Sequence, residues 1–366
     1  MKILLVRLRL IGDVVFTTPL IAGLKQRFPE AQLTYVAEPS AAPVVAGNPH
    51  LSRVLTVPLS RGVARLNDDL SLARRLRREQ FDVAIDLHGG PRSSWFTWAS
   101  RAPMRIGYRI RGRSWMYTHI VERTADAAPR HSVLNQWDLL APLGVTGDCT
   151  PGRWPVEMAA DTAAARRVHE RLRQRGVGED TPLVVLHVSA GNPFRRWPPE
   201  SFVQTIESLV RTDAHRRVIV TSGPSEADLA MRISADARGR LGPLGVALPA
   251  WPDMDLQELR ALIASAALYI GGDSGPLHIA ATTTTPVVAL LGPTLPERSL
   301  PWRAESLFSE GVDGGPLPCR PCRQRVCVTG DFRCLTAVTP AMVVAAAERA
   351  LTSTRTSRSG ARETLP

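Results

Sequence analysis

Apolar and polar positions along the chain fall into short blocks whose lengths suit strands and helices in turn. Residues 2–8 form a branched apolar run, Leu10-Ile11-Gly12-Asp13 interrupts it, residues 19–28 have helical spacing, and 32–37 read as a second strand. That is a βαβ opening. A helical stretch at 70–78 leads into another apolar strand at 82–87. The order restarts at 182–187, with a glycine-containing turn, a helix at 199–211 and a strand at 217–221. A helix at 255–265, a buried strand at 268–271, a small-residue helix at 276–282 and a strand at 287–291 follow. This alternation predicts an α/β protein of two Rossmann-like halves, each an open, mostly parallel sheet with helices on both faces. The turn formers of residues 145–155 make the expected linker, giving domains 1–155 and 156–351. Residues 352–366 are rich in Ser, Thr and Arg without apolar periodicity and predict a disordered tail.

A length of 366 residues agrees with two domains, and 44% hydrophobic against 22% charged residues is ordinary for a globular chain with a sizeable core. There is no run of about 18 apolar residues, and charge returns at Arg7, so neither a membrane span nor a signal peptide is expected and the chain is placed in the cytoplasm. The net charge of +11 would suit nucleic acid, an anionic membrane face or a phosphorylated substrate. All but two of the 45 basic residues, Lys2 and Lys25, are arginine, a skew that genomic base composition suffices to explain. Local clusters therefore weigh more than the total. Arg101, Arg105, Arg109, Arg111 and Arg113 lie within thirteen residues that contain no acid. They either meet a phosphate or carboxylate or form a solvated face. No zinc-finger, helix-turn-helix or RNA-binding motif accompanies the charge, which argues against nucleic acid as a partner.

Candidate chemistry collects where strands end. In Gly271-Gly272-Asp273-Ser274-Gly275-Pro276-Leu277-His278 an apolar strand runs into glycines and a helix begins at once. Glycines allow close backbone approach, Ser274 can donate to a phosphate, and the helix start offers unpaired N–H groups, so the stretch predicts an anion site that grips an activated donor. The alternative is a tight turn capped by Asp273 or Ser274. Thr294 follows the next strand, and Ser189, Arg195 and Arg196 follow the first strand of the second half. The two arginines could clamp a diphosphate whose charge grows as the sugar departs, or simply decorate the surface. Glu226, after a third strand, can accept from a ribose or base. In the first half Asp13 can act as general base towards an acceptor hydroxyl or can cap its helix. One glycine there, rather than three, argues against a dinucleotide fingerprint. Cys319, Cys322, Cys327 and Cys334 could hold zinc or be buried thiols.

Together these motifs resemble glycosyltransferase family 9, the ADP-heptose:lipopolysaccharide heptosyltransferases. The resemblance spans Leu4 to Ala347 and rests on Val6-Arg7 with Ile11-Gly12-Asp13, Asp86-Leu87-His88-Gly89, Arg195-Arg196-Trp197-Pro198-Pro199-Glu200, Asp273 to His278, and Gly292-Pro293-Thr294. The cysteine run resembles the heptosyltransferase II branch. The resemblance implies a GT-B fold, two Rossmann-like domains facing each other across a cleft, the first holding the acceptor and the second the nucleotide sugar. It implies inverting transfer of heptose from ADP-heptose to the inner core of lipopolysaccharide, with no metal and no cofactor. Asp13 matches the catalytic base, Arg195 a position where lysine is usual, and Glu226 an acid near the ribose. Asp273, Ser274, Gly275 and His278 match the donor loop, with Ser189, Arg196 and Thr294 on neighbouring loops. Gly12, His88, Arg105, Arg109, Arg111 and Arg113 would face a lipid-anchored acceptor at the inner membrane surface, making the enzyme peripheral to that membrane. Arg195 keeps the charge of lysine but not its shape, and Ser274 stands where Thr is also common. The competing readings are a relative using another nucleotide sugar or surface glycan, a nucleotide-sugar epimerase, and a non-catalytic nucleotide- or DNA-binding protein.

Overall fold

The computed structural model describes residues 1–123, 129–178, 180–245, 250–322 and 326–362, without the side chains of 193, 245 and 354–362. The chain divides into two compact units, Met1–Ala159 with Trp302–Ala304, and Ala160–Pro301 with Glu305–Pro366. Each is a doubly wound α/β unit around one parallel sheet, as the alternation of apolar blocks predicts.

The first unit carries β1 (Lys2–Val6), β2 (Gln32–Ala37), β3 (Arg53–Thr56), β4 (Val83–Asp86), β5 (Met104–Tyr108) and β6 (His119–Val121), in the order β3-β2-β1-β4-β5-β6. All five pairings are parallel. Ile3 to Val6 and the whole of β4 are buried, which explains why these strands read as continuous apolar runs instead of alternating. Leu4, Val6, Val36, Ala84, Phe81, Leu76 and Phe96 form the core on one face of the sheet. The order reverses between β1 and β4, whose ends lie in register at Val6 and Asp86.

The second unit carries β7 (Leu183–His187), β8 (Arg217–Thr221), β9 (Leu268–Gly272), β10 (Val287–Leu291) and β11 (Ser309–Asp313), in the order β11-β10-β9-β7-β8, again all parallel. Here the reversal falls between β7 and β9, with His187 opposite Gly271. Leu186, Ile270 and Leu290 pack against Phe202, Ile206 and Val210 of the helix Pro199–Thr212 and against Val343, Ala346 and Ala350 of the closing helix Pro340–Arg362. Small side chains on that helix let it lie close to the strands. Asp255 and Glu258 form a reciprocal capping box at the start of the helix Leu256–Ala264, and Asp161 caps Thr162–Arg173.

Three local readings change. Residues 10–13 do not simply break the first strand: Ile11–Val15 is already helical, followed by the helix Thr18–Arg27. The helix expected at 70–78 starts earlier, as Gly62–Arg78. The closing helix continues to Arg362, through most of the stretch expected to be disordered, because extending a helix whose first half is packed costs little per residue; residues 363–366 lie outside the described residues. No helix among the described residues is long and apolar enough to cross a membrane.

Trp302 is a distant contributor to the first unit. Its indole N–H donates to the Trp154 carbonyl at 2.8 Å, its carbonyl accepts from Val156 N–H at 3.3 Å, and its ring lies 4.6 Å from that of His131. Trp302→Ala removes a side chain only 7% exposed and is expected to cost about 3–5 kcal/mol. Urea denaturation checks this, and an unchanged midpoint would show that the returning segment does not hold the first unit together.

Candidate functional site

In both units the loops that matter leave neighbouring parallel strands on either side of the reversal in strand order, the place where open α/β sheets bind ligands.

In the second unit the loop after β9 is organised by Asp273. Its carboxylate accepts from the Thr294 hydroxyl at 2.7 Å and from Arg195 Nη1 at 3.3 Å, and His278 Nε2 lies 3.5 Å away. Burial alone would push this carboxyl up, but the hydrogen bond and charge of His278, the Thr294 hydroxyl and the Arg195 guanidinium outweigh it and hold Asp273 below the usual carboxylate range. Ser274 occupies the N-cap position of the helix Gly275–Ala280, yet its side chain makes no capping bond, and its hydroxyl is buried without a hydrogen-bond partner among the described residues. The capped-turn alternative therefore fails for both residues: Asp273 is spent on three neighbours and Ser274 caps nothing. A buried, unpaired hydroxyl costs stability unless a ligand completes it.

The loop after β7 is tied down at both ends. The Ser189 hydroxyl accepts from Gly223 N–H at 2.7 Å, and the Trp197 indole donates to the Val338 carbonyl at 2.8 Å. Between them Arg195 and Arg196 separate. Arg195 reaches Asp273, whereas Arg196 pairs with Glu226, a 6% exposed acid that also accepts from the Ser225 hydroxyl at 2.8 Å. The expected two-arginine fork on one diphosphate is not what the fold builds, because each half-buried cation is drawn to a different buried acid. Glu226 is correspondingly engaged by Arg196. Sequence reasoning missed His187, fully buried at the end of β7, whose ring nitrogen meets the Thr221 hydroxyl at 3.0 Å. Burial pushes it down to about 4, so it stays neutral. It also missed Arg320, which donates to the Thr294 carbonyl at 2.7 Å and pairs with Asp313 at 2.9 Å, fixing the loop that presents Thr294.

In the first unit Asp13 sits in the first turn of Ile11–Val15, with Leu10 at the N-cap position. The capping role is therefore excluded. Instead its carboxylate pairs with the guanidinium of Arg7, which is itself buried and donates to the Leu87 carbonyl at 2.6 Å. Asp13 keeps 32% of its side chain open to solvent against 8% for Arg7, so the cation is structural and the acid accessible. Gly12, the residue before it in the same helix, is buried. The neighbouring strand end is held by Asp86, which is wholly buried and accepts from the N–H groups of His88 (2.9 Å) and Gly89 (2.8 Å), the Ser94 hydroxyl (3.0 Å) and the Tyr117 hydroxyl (2.6 Å). These bonds set the loop that carries His88. Burial, then the nearby charge of Arg7, keeps the His88 imidazole below its ordinary value, and its Nδ1 is buried without a partner among the described residues.

The five arginines of 101–113 do not act together. Arg105 donates to the carbonyls of Met116 (2.8 Å) and Ala102 (2.7 Å), so its role is to fold the segment. Arg109 pairs with Glu122 at the surface, an acid supplied from outside the acid-free stretch. Arg113 donates to the Gly89 carbonyl at 3.2 Å, beside His88, and Arg111 is exposed and has no ion pair among the described residues. Three of the four arginine candidates for the acceptor, Arg105, Arg109 and Arg113, thus have partners within the first unit. A basic cavity appears elsewhere. Of about 530 Å³, it is lined by Arg9, Arg61, Arg65, Arg92, His88 and Glu38. Arg92 is locked on Asp69 and the Pro58 carbonyl, whereas Arg9 and Arg61 have no ion pair among the described residues. Their separation in sequence hid this cluster.

Cys319, Cys322, Cys327 and Cys334 line one cavity of about 450 Å³ with Phe194 and Pro293. All four are free thiols. Among the described residues no group of three or more His, Cys, Asp or Glu side chains is arranged to hold a metal ion, so the thiols share a cavity without forming a coordination shell.

The His88 environment gives a pH test. The folded protein resists protonating His88 at the ordinary value of 6.5, whereas the unfolded chain accepts the proton there, so this group's contribution to stability falls as pH drops through 6.5. Histidine NMR signals, assigned by comparison with His88→Gln, should show His88 titrating below that value. A midpoint at or above it would contradict the buried, Arg7-facing environment.

The glycosyltransferase family 9 (heptosyltransferase) profile matches residues 70–332. The chain is 30% identical over 294 residues to lipopolysaccharide heptosyltransferase 3 of Escherichia coli strain K12, covering 77% of this chain and 80% of that protein. To lipopolysaccharide heptosyltransferase 2 of the same strain it is 22% identical, over 82% of this chain and 85% of that protein. Among solved structures, a family 9 glycosyl transferase from Veillonella parvula DSM 2008 is similar with a TM-score of 0.81 at 20% identity, covering 96% and 97% of the two chains. E. coli ADP-heptose lps heptosyltransferase II is similar with a TM-score of 0.77 at 18% identity, covering 97% and 100%. At those identities the structural likeness establishes the fold, and the match to the family over most of the chain establishes the rest: this protein is a glycosyltransferase that belongs to family 9, the heptosyltransferases.

Proposed function

We propose that the protein transfers heptose from ADP-heptose to the inner core of a lipopolysaccharide by a single inverting displacement, with the second unit gripping the donor and the first unit taking the acceptor. The names of the relatives support the sugar and the glycan. The observation that carries the donor assignment is the buried, unpaired Ser274 hydroxyl beside an Asp273 already locked by Thr294, Arg195 and His278.

In this reading Asp13 removes the proton from an acceptor hydroxyl as that oxygen attacks the anomeric carbon. The bond from that carbon to the diphosphate oxygen breaks, the electron pair leaves with ADP, and the configuration inverts. Arg7 positions the base without occupying its exposed edge. Arg195, held by Asp273, stands ready for the charge that builds on the departing diphosphate, a preorganised cation that needs no reorientation during the reaction. Glu226, steadied by Arg196, offers its carboxylate to the ribose. His88, Arg113 and the cavity carrying Arg9 and Arg61 serve an acceptor rich in phosphate or acidic sugars, and the enzyme works at the cytoplasmic face of the inner membrane, where such a lipid-anchored acceptor is presented.

Asp13→Asn should lower kcat by about 10²–10⁴-fold while ADP binding, read by calorimetry, stays intact. Normal turnover in that variant would remove Asp13 as the base. Ser274→Ala should raise the KM for donor more than it lowers kcat, and thermal shifts across a panel of nucleotide sugars should be largest with ADP-heptose. A larger shift with a UDP or GDP sugar would overturn the donor assignment.

A further inference from the structure

Sugar transfer leaves the four-cysteine cavity of the second unit unused. Cys319, Cys322, Cys327 and Cys334 line it, and Cys327 has surroundings of its own. The chain doubles back after this residue: Gly330 adopts φ +73°, which glycine takes without strain, and Phe332 adopts φ +49°. The N–H groups of Phe332, Gly330 and Thr329 point towards the Cys327 sulfur, and the Thr329 hydroxyl lies 3.4 Å from it. The Thr329 hydroxyl first, then the Phe332 N–H, hold this thiol below its ordinary value, and the guanidinium of Arg333 is close enough to feel its charge. Donors and a cation around a half-exposed sulfur favour the thiolate, the form that attacks electrophiles. Cys334, adjacent to Arg333 in sequence, has the opposite setting. Burial pushes its thiol up, and the charge of Cys327 lies within its reach. One thiolate and one thiol therefore share a cavity, the arrangement in which an oxidised sulfur can be resolved. The far wall of that cavity belongs to the donor-side loops. Phe194 and Pro293 line it, and Cys322 N–H donates to the Pro293 carbonyl at 2.9 Å. Leu335, the residue after Cys334, packs so closely on Gly292 that a Cβ there would lie 2.6 Å from its Cδ2.

We propose that Cys327 is a hydroperoxide-reactive thiol and that Cys334 resolves its oxidised form into a disulfide. The Cys327 thiolate attacks one peroxide oxygen, the O–O bond breaks, and the other oxygen leaves with a proton as an alcohol or water; the sulfur is oxidised to a sulfenic acid and the peroxide is reduced. The Cys334 sulfur then attacks the sulfenic sulfur, an S–S bond replaces the S–O bond, and the hydroxide departs with the Cys334 proton as water. Because Leu335 and Cys322 tie this segment to the loop that presents Thr294, closing the disulfide shifts that loop and weakens the hold on a nucleoside diphosphate. This consequence rests on the donor reading; the thiol chemistry does not.

The reduced full-length protein is treated with hydrogen peroxide, its thiols are counted, and the products are mapped by peptide mass spectrometry. Two of the five thiols should be lost together, with the bond mapped to Cys327 and Cys334 and the five restored by a dithiol reductant. Cys327→Ser should slow thiol loss by about tenfold or more, whereas Cys319→Ser and Cys322→Ser should keep the rate. In Cys334→Ser the sulfenic acid should persist on Cys327 and be trapped by dimedone. Thermal midpoints of the four variants, close to that of the parent, show that they are folded. No thiol loss, dimedone spread evenly over the cysteines, or a bond from Cys327 to Cys319 would overturn the assignment. So would one metal ion per chain held by these thiols in the purified protein, seen by native mass spectrometry. Calorimetry with ADP then tests the consequence: affinity should fall by about fivefold or more on oxidation and recover on reduction, and equal affinity in the two forms would overturn the coupling. A reduced protein that binds no ADP yet forms the Cys327–Cys334 bond would sink the donor reading and leave the thiol assignment standing.

Discussion

In each unit every strand runs in the same direction, and the rest of the molecule depends on that constraint. A parallel sheet delivers all its strand ends to one edge, and where the strand order reverses the connecting loops diverge and leave space. In the first unit that point lies between β1 and β4, and it receives Arg7, Asp13, Asp86 and His88. In the second it lies between β7 and β9, and it receives Arg195 and Asp273 with Ser274. The chemistry is placed by topology before any side chain contributes to it.

Burial of charge then decides how these residues behave. A carboxylate taken out of water needs partners, and each acid at the strand ends has found them: Asp13 in Arg7, Asp86 in two backbone N–H groups and two hydroxyls, Asp273 in Thr294, Arg195 and His278, and Glu226 in Arg196. The arginines are consequently held at defined positions instead of sampling solvent. For a reaction in which negative charge grows on a departing diphosphate, a cation fixed in advance is more effective than one that must be recruited. The same pairing explains why the arginine-rich segment disperses. Arg105 satisfies carbonyls, Arg109 meets Glu122, and only part of the run stays free.

Much of the architecture was legible in the sequence because buried parallel strands are continuous apolar runs, and glycine, serine or aspartate at their ends marks the turn into a helix. The blocks at 2–8, 32–37, 82–87, 182–187, 217–221, 268–271 and 287–291 all correspond to strands of the two sheets. The short edge strands β3, β6 and β11 were not legible, since half-exposed strands of three to five residues carry too little apolar signal, and the interior β5 was hidden inside the arginine-rich segment.

The sequence by itself determined the α/β class, the doubling of the sheet, the family, and the strand-end positions of Asp13, Asp273 and Ser274, because all of these depend on local pattern and motif order. Tertiary structure alone decided which charges meet. Arg7 and Arg320 were silent in the sequence as functional partners, the cap role of Asp13 and the shared fork of Arg195 and Arg196 were open there, and Arg9, Arg61 and Arg92 could not be joined into one cavity. The reason is physical: a charge pairs with whichever opposite charge the packed sheet brings within reach, and strands distant in sequence supply that partner.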